Sequence, residues 1–199
     1  MTGRQLLAQA LGRGIEVTAL AREPARLGEF HGSLLIVGGT VTDPATVGRV
    51  VGGCSGVLSA LGRVKGSPAD LLTTSSPNMI AAMKELGVRR IVALTNTSIE
   101  DSSDRPPLAH RMLRGALGLM NSKLIHDSIP AAKVLAKSGL DWTLVRAPIL
   151  TNGPKKGNYK VGPLAGGMPL RVSRADVADF MLSCVTQGRF VCERPVIGG

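Results

Sequence analysis

Ile15–Ala21 reads IEVTALA, an apolar and β-branched run of strand length, and Arg22 follows it at once with Arg26 one turn later. Ahead of it, Thr2–Arg13 places Leu6, Leu7, Ala10 and Leu11 on one face at the i, i+3, i+4 spacing of a packed helix, which Gly12 and Gly14 end. Behind it, Leu34–Val37 (LLIV) is a second strand. Asp43-Pro44 then starts a helix, since Asp caps free amides and Pro suits a first helical turn. Val57–Leu61 (VLSAL) is a third strand, closed by Gly62.

The second half keeps the rhythm. Asn78–Leu86 reads as helix stopped by Gly87, and Val88–Thr95 (VRRIVALT) as strand. Ile129–Lys137 is helical up to Gly139, and Trp142–Arg146 (WTLVR) is a strand. Thr151–Pro169, rich in Gly, Pro and Lys, reads as a loop or short flap. Ser173 with Asp176 resembles a capping box opening a last helix through Val177, Phe180, Met181 and Leu182. Arg189–Val196 is read as a final strand. Buried-type strands alternating with amphipathic helices imply parallel pairing through right-handed crossovers. The expectation is an α/β fold, a doubly wound parallel sheet, in a single domain over residues 1–199.

Composition narrows the function classes. With 199 residues and 44% hydrophobic content the chain can bury a full core, which excludes disorder. Aromatics at 3% leave little surface for stacking single-stranded bases. No apolar run approaches the roughly 20 residues of a membrane-spanning helix. Arg4, Gln5 and Gln9 interrupt what would be the apolar part of a secretory signal. Three cysteines, Cys54, Cys184 and Cys192, form an odd set without metal-ligand spacing, so the expectation is no metal and a reducing, cytoplasmic setting. The net charge of +10 is scattered over Arg89-Arg90, Arg111, Arg114 and Lys155-Lys156, with no basic stripe along one helix. That distribution favours an anionic small ligand over nucleic acid or a membrane.

In open α/β sheets ligands bind beyond the carboxyl ends of the strands. An NAD-selecting fold commonly ends the IEVTALA-type strand with an acid for the ribose hydroxyls, whereas an NADP-selecting one places Arg there for the 2′-phosphate. Arg22 therefore reads as an NADP signal, the alternative being an ordinary solvated arginine. Gly39-Thr40-Val41, Leu61-Gly62-Arg63 and Thr95-Asn96-Thr97-Ser98 follow successive strands. Singly they are turn residues; together they favour a nucleotide groove.

The stretches TGRQLLAQAL, EVTALAREPARL, NMIAAMKELGVRRIVALT, SGLDWTLVRAP and SRADVADFML span nearly the whole chain. In them the chain resembles the atypical short-chain dehydrogenase/reductase group, the NAD(P)H-binding, NmrA-like family, close to NADPH flavin reductase and biliverdin-IXβ reductase. The resemblance implies a Rossmann-like fold, bound NADP(H) and hydride delivery to a flavin, quinone or tetrapyrrole-like small-molecule acceptor; the chain is expected to be a monomer or homodimer. It assigns Thr2, Gly3 and Arg4 to the end of the phosphate-binding turn and Arg22 and Arg26 to the 2′-phosphate. Thr40 and Val41 would flank the adenine, Leu61, Gly62 and Arg63 line ribose and pyrophosphate, and Pro148 and Ile149 the nicotinamide end. Thr95, Asn96 and Ser98 would hydrogen-bond the acceptor or carboxamide. Two departures stand out. Thr95-Asn96 replaces a Thr-Ser pair, and Ile149 replaces a His.

No Tyr-x-x-x-Lys pair is present, the single tyrosine, Tyr159, being followed directly by Lys160. Reduction of a carbonyl to an alcohol needs a proton donor near the oxyanion. A conjugated ring takes the charge into itself, and positioning then supplies most of the catalysis. The rival reading, from another class, is a non-catalytic NmrA-like NADP-binding redox sensor. His126 beside Asp127 reads as surface or substrate-facing, His110 as possible substrate contact and His31 as loop. Cys54 reads as a small buried hydrophobe and Trp142 as core.

In this family the domain opens with an apolar strand and the turn G-A-T-G-x-T-G. Met1 takes the place of x and Thr2-Gly3 complete the turn. The expectation is that about ten residues, a central strand and the first glycines, precede Met1 in a longer natural chain. The chain as written should then bind NADPH poorly and fold marginally, with the strands at 15–21 and 57–61 gapped or re-paired.

Overall fold

The computed structural model describes residues 1–64, 66–106, 112 and 122–199, excluding the side chains of 122–126. The IEVTALA run supplies β1 (Val17–Ala21), which pairs in parallel with β2 (Leu34–Gly38) from Val17 against Leu34 to Ala21 against Gly38. Helix α1 (Thr2–Leu11) precedes β1, and a single 3₁₀ turn, Pro24–Leu27, follows it. Then come α2 (Pro44–Val51), β3 (Gly56–Ser59), α3 (Leu71–Glu85), β4 (Arg90–Asn96), α4 (Ser122–Ala136) and β5 (Asp141–Ala147). The chain ends with β6 (Ile149–Thr151), β7 (Lys160–Gly162), β8 (Arg171–Ser173), α5 (Arg174–Thr186) and β9 (Val196–Gly198).

The sheet order is β3-β4-β5-β9-β7, parallel except for the antiparallel β7–β9 edge, and β6 with β8 forms a small parallel pair. The β1–β2 ladder stands apart as its own two-stranded sheet. Among the described residues β1 pairs only with β2, and β3 only with β4. Of the two outcomes expected for these strands, gapped or re-paired, they are gapped among the described residues.

Alternation along β4 and β5 sorts side chains to two faces, as a sheet covered on both sides requires. Ile91, Trp142 and Leu144 pack with Val47, Val51, Met79 and Met83, the face covered by α2, α3 and α4. Val92 and Val145 pack with Leu6, Ala10, Phe180 and Met181, the face covered by α1 and α5. Helices on both faces of a mainly parallel sheet make this a doubly wound α/β domain.

Four segments depart from the sequence reading, among them α4, which starts at Ser122 rather than Ile129. Helix α3 begins at Leu71, seven residues before the expected start, and carries Pro77 inside it. Its first turn is closed from outside: the Asp127 carboxylate of α4 accepts the N–H groups of Leu72 (2.9 Å) and Thr73 (2.8 Å) and the Thr73 hydroxyl (2.7 Å). This does the work of an N-cap, satisfying amides that have no partner within the helix. Asp127 is 3% exposed. Asp127→Ala is therefore expected to cost about 2 kcal/mol, because buried donors lose their acceptor; urea unfolding reads the loss, and a cost near zero would contradict this account.

The expected strand over Arg189–Val196 is mostly a turn. Phe190 (φ 56°) and Cys192 (φ 60°) adopt left-handed backbone, and only Val196–Gly198 is strand. The Arg90 guanidinium holds that turn, donating to the Cys184 and Arg189 carbonyls and the Thr143 hydroxyl, each at 2.8 Å. The flap read as loop over 151–169 contains β7, paired with β9.

Candidate functional site

A cavity of about 1920 Å³ opens between β1 and β3 and runs out over the carboxyl ends of β1, β3 and β4. At the β1 end lie Arg4, Arg22 and Arg26. They differ in what already holds them. Arg4 donates to the Arg26 carbonyl at 2.9 Å, pairs closely with Glu29 and lies over the Phe30 ring. Arg26 pairs with Glu23 at 2.8 Å. Arg22 is exposed and has no ion pair or hydrogen bond among the described residues.

Beside this cluster, Gly39 ends the β2 turn with φ 148°, and a Cβ there would lie 2.7 Å from Thr46 Cγ2 of α2. Only glycine lets β2 run that close to α2 in this backbone. Thr40 and Thr42 share a hydroxyl contact of 3.0 Å, and the Asn78 amide donates to the Thr42 carbonyl at 3.1 Å, pinning the turn to α3. Val41 is buried and lines the cavity, whereas Thr40 is exposed and lies off it.

Leu61, Gly62 and Arg63 line the cavity beyond β3. The Arg63 Nε is buried and has no hydrogen-bond partner among the described residues. A buried guanidinium N–H left unpaired is costly, so it marks a place for an acceptor. Thr2 and Gly3 line the cavity as well, in the first turn of α1, where amides have no intrahelical partner. Arg63 Nε, the free Arg22 and this first turn together fit an elongated anionic ligand with phosphates at two points.

At the far end Thr95, Asn96, Ser128 and Pro148 line the cavity. The Asn96 carboxamide is oriented at both ends: its Oδ1 accepts the Ser98 N–H at 2.8 Å, and its Nδ2 donates to Ser128 Oγ at 3.2 Å. One Nδ2 hydrogen is left for a ligand. Ser98 thus acts here through its backbone and does not line the cavity; Ile149, 36% exposed, does not either.

Two lining residues escaped the sequence reading. Ser128 lies on the buried face of α4 beside Asp127, with no local pattern to mark it. Arg174 reads as a first-turn residue of α5, yet it lines the cavity and donates to Asn152 Oδ1 at 2.8 Å.

The remaining candidates lie elsewhere. His110, Arg111 and Arg114 are outside the described residues, as is the side chain of His126. His31 is exposed. The three cysteines are free thiols; burial pushes Cys184 up to about 11, which makes it a poor nucleophile, and Trp142 is core. Cys54 is half-buried, its thiol donating to the Val50 carbonyl at 3.2 Å, and it lines the cavity. No group of three potential metal ligands occurs among the described residues, and no described helix is long and apolar enough to cross a membrane.

A doubly wound sheet with a basic groove across its strand ends defines a Rossmann-type dinucleotide-binding protein. The family model described as NAD(P)H-binding matches residues 1–188, and the chain belongs to that family. An uncharacterised chloroplastic protein of Arabidopsis thaliana is 28% identical over 195 residues, covering 94% of this chain and 69% of its own. Among solved structures, a short-chain dehydrogenase/reductase of Veillonella parvula in complex with NADP superposes with a TM-score of 0.79 at 18% identity, over 100% of this chain and 90% of its own. ChuY, an anaerobillin reductase of Escherichia coli O157:H7, gives 0.80 at 18% identity, over 99% and 91%. Both structures share the fold.

Proposed function

We propose that the protein is an NADPH-dependent reductase whose acceptor is a conjugated small molecule, a flavin, quinone or tetrapyrrole-like ring. The observation that carries this reading is the make-up of the inner end of the cavity. Among the described residues the neutral donors Thr95, Asn96 and Ser128 line it, with the Arg174 guanidinium at the Leu150 carbonyl beside them, and Tyr159 does not. The chain's single tyrosine, Tyr159, sits on the flap and donates to Asp179 at 2.9 Å. Its hydroxyl is committed to Asp179 and it does not line the cavity, so it is not placed to protonate an alkoxide there.

NADPH would supply the hydride. Arg22, with Arg26, would hold the 2′-phosphate, Arg63 and the first turn of α1 the pyrophosphate, and Val41 would pack on the adenine. Asn96, locked by Ser98 and Ser128, would fix the ring to be reduced or the carboxamide beside it, and the walls from β3 and β4 would limit water. The acceptor delocalises its own charge, so orientation is the chain's main contribution. The reading includes a reducing, cytoplasmic compartment and a monomer or homodimer, with neither nucleic acid nor membrane as partner.

The experiment follows absorbance at the nicotinamide band with purified protein, NADPH, and FMN, a quinone or biliverdin. Oxidation of NADPH with at least one acceptor is expected. Measurable NADPH binding without turnover on any of them would sink the enzyme and leave the redox sensor. Asn96→Ala is expected to lower kcat roughly 3–10-fold, the worth of one neutral hydrogen bond, with nucleotide affinity little changed; an equal fall in affinity would move Asn96 from the acceptor to the cofactor.

A further inference from the structure

Arg174 is held along one edge of its guanidinium and open along the other. Its Nη1 donates to Asn152 Oδ1 at 2.8 Å and to the Leu150 carbonyl at 3.3 Å. Nε and Nη2 have no partner among the described residues. Neither of them is sealed in protein, since among the described residues Arg63 Nε is the buried side-chain nitrogen that lacks a hydrogen bond. The Nε–Nη2 edge is thus open to solvent, on a half-buried residue that lines the cavity.

Nothing neutralises this arginine. All 14 Asp and Glu residues of the chain fall within the described residues, and none pairs with Arg174. The acid nearest in sequence, Asp176, is buried and already taken. Its carboxylate accepts the Ser173 hydroxyl at 2.7 Å and the N–H groups of Lys156 and Gly157 at 2.8 Å each. Neutral acceptors therefore fix where the guanidinium stands and leave its charge for a ligand. The Nε–Nη2 edge presents two parallel N–H groups, the spacing that fits two oxygens of a carboxylate or phosphate.

Its place in the fold says which ligand. Asn96 pairs in register with Ala147 at the end of β5, and the chain passes through Pro148 into β6, where the Leu150 carbonyl takes Arg174. Arg174 thus stands on the β5 side of Asn96, away from Arg22 at the end of β1 and from Arg63 after β3. Those two and the first turn of α1 already meet the phosphates of a dinucleotide. We infer that Arg174 selects the acceptor, its open edge taking the oxyanion, carboxylate or phosphate, on a side arm of the ring to be reduced. The inference rests on the reductase reading and narrows it to acidic acceptors over neutral ones.

The test reads binding with NADP⁺ present, so that it needs no turnover. Two matched pairs of ligands differ in the acid alone: FMN against riboflavin for a phosphate, and biliverdin against its dimethyl ester for a carboxylate. Fluorescence titration of the wild type should show the acidic member of at least one pair bound about tenfold tighter or more. Arg174→Gln should bring that ratio close to one, and Arg174→Lys should keep part of it. Asn152→Asp leaves the arginine in place but offers it a carboxylate from an exposed position, and should lower the ratio too. Arg171→Gln removes the same charge from an exposed residue of β8 off the cavity, and should leave the ratio at its wild-type value. A preference that survives these changes while NADPH oxidation fails with every acceptor sinks the reductase and is not expected. A ratio near one for both pairs in the wild type, absence of binding included, overturns the inference. So does a ratio that persists in Arg174→Gln or falls equally in Arg171→Gln, and so does a matching loss of NADP⁺ affinity in Arg174→Gln, which would give Arg174 to the cofactor. NADPH oxidation at equal efficiency with both members of each pair would overturn it as well and leave the reductase standing.

Discussion

Arg146→Met is expected to destabilise the protein by roughly 3–5 kcal/mol, the cost of stranding one charge of a buried pair. Arg146 lies on β5 and is fully buried. Its Nη1 and Nη2 grip Asp104 at 2.5 and 2.9 Å, Nη1 also donates to the Ile99 carbonyl at 2.9 Å, and Nε donates to the Arg194 carbonyl at 2.7 Å. Asp104 in turn accepts the Leu164 N–H at 2.9 Å, so one guanidinium ties the segment after β4 to the flap after β7. Burial pushes the Asp104 carboxyl up, but the Arg146 and Leu164 hydrogen bonds outweigh it and hold it below its ordinary 3.8. A carboxyl depressed on folding stabilises above its unfolded value and loses that contribution as pH falls through the folded one. The wild type should therefore weaken progressively below about pH 4, and Arg146→Met should show less of that acid loss. Urea unfolding of wild type, Arg146→Met, Asp104→Leu and the double variant measures this. The double variant should recover part of the loss, since a well-packed apolar pair can replace a buried ion pair. A single-variant cost under about 1 kcal/mol would place the pair with ordinary surface salt bridges.

This pair also shows where reading a sequence stops. WTLVR announces itself because a strand buried on both faces is apolar nearly throughout, IEVTALA and LLIV do so as apolar runs of strand length, and their order fixes the doubly wound sheet. The arginines and small residues after them could be placed at the groove because ligands gather beyond strand ends. Arg22, Arg63, Thr95 and Asn96 all line the cavity for that reason. An arginine inside WTLVR, by contrast, looks like a break in the pattern. Its partner is 42 residues away in sequence, and nothing local says that the two meet. The start of α3 was hidden in the same way, because Asp127 closes it from 54 residues further on. Ser128 became visible as a site residue only once α4 was seated against β4. The turn at Phe190 and Cys192 depends on Arg90, about a hundred residues earlier. Periodicity records which face a residue buries; it carries no record of long-range polar pairing.

Arg22→Asp is expected to lower NADPH affinity by roughly 10–100-fold while changing NADH affinity little. The structure separates Arg22 from its neighbours, since Arg4 is engaged by Glu29 and Arg26 by Glu23, whereas Arg22 is exposed and unpaired among the described residues. A free guanidinium meets a phosphate dianion without first giving up a carboxylate, and the planar fork suits bidentate contact. Hydrogen bonds to charged groups contribute about 1.5–3 kcal/mol, and 1.4 kcal/mol is tenfold in affinity. Aspartate removes that bond and adds repulsion toward the 2′-phosphate, while it can accept the free 2′-hydroxyl of NADH. Arg26→Ala should cost NADPH less, because the Glu23 pair must be exchanged before Arg26 can turn to the ligand. Nicotinamide fluorescence titrations of NADPH and NADH against wild type and both variants give the affinities. The outcome to look for is a selectivity ratio that collapses or inverts in Arg22→Asp and shifts modestly in Arg26→Ala. A ratio unchanged by Arg22→Asp would return Arg22 to the solvated surface and leave the 2′-phosphate to another cation of the groove.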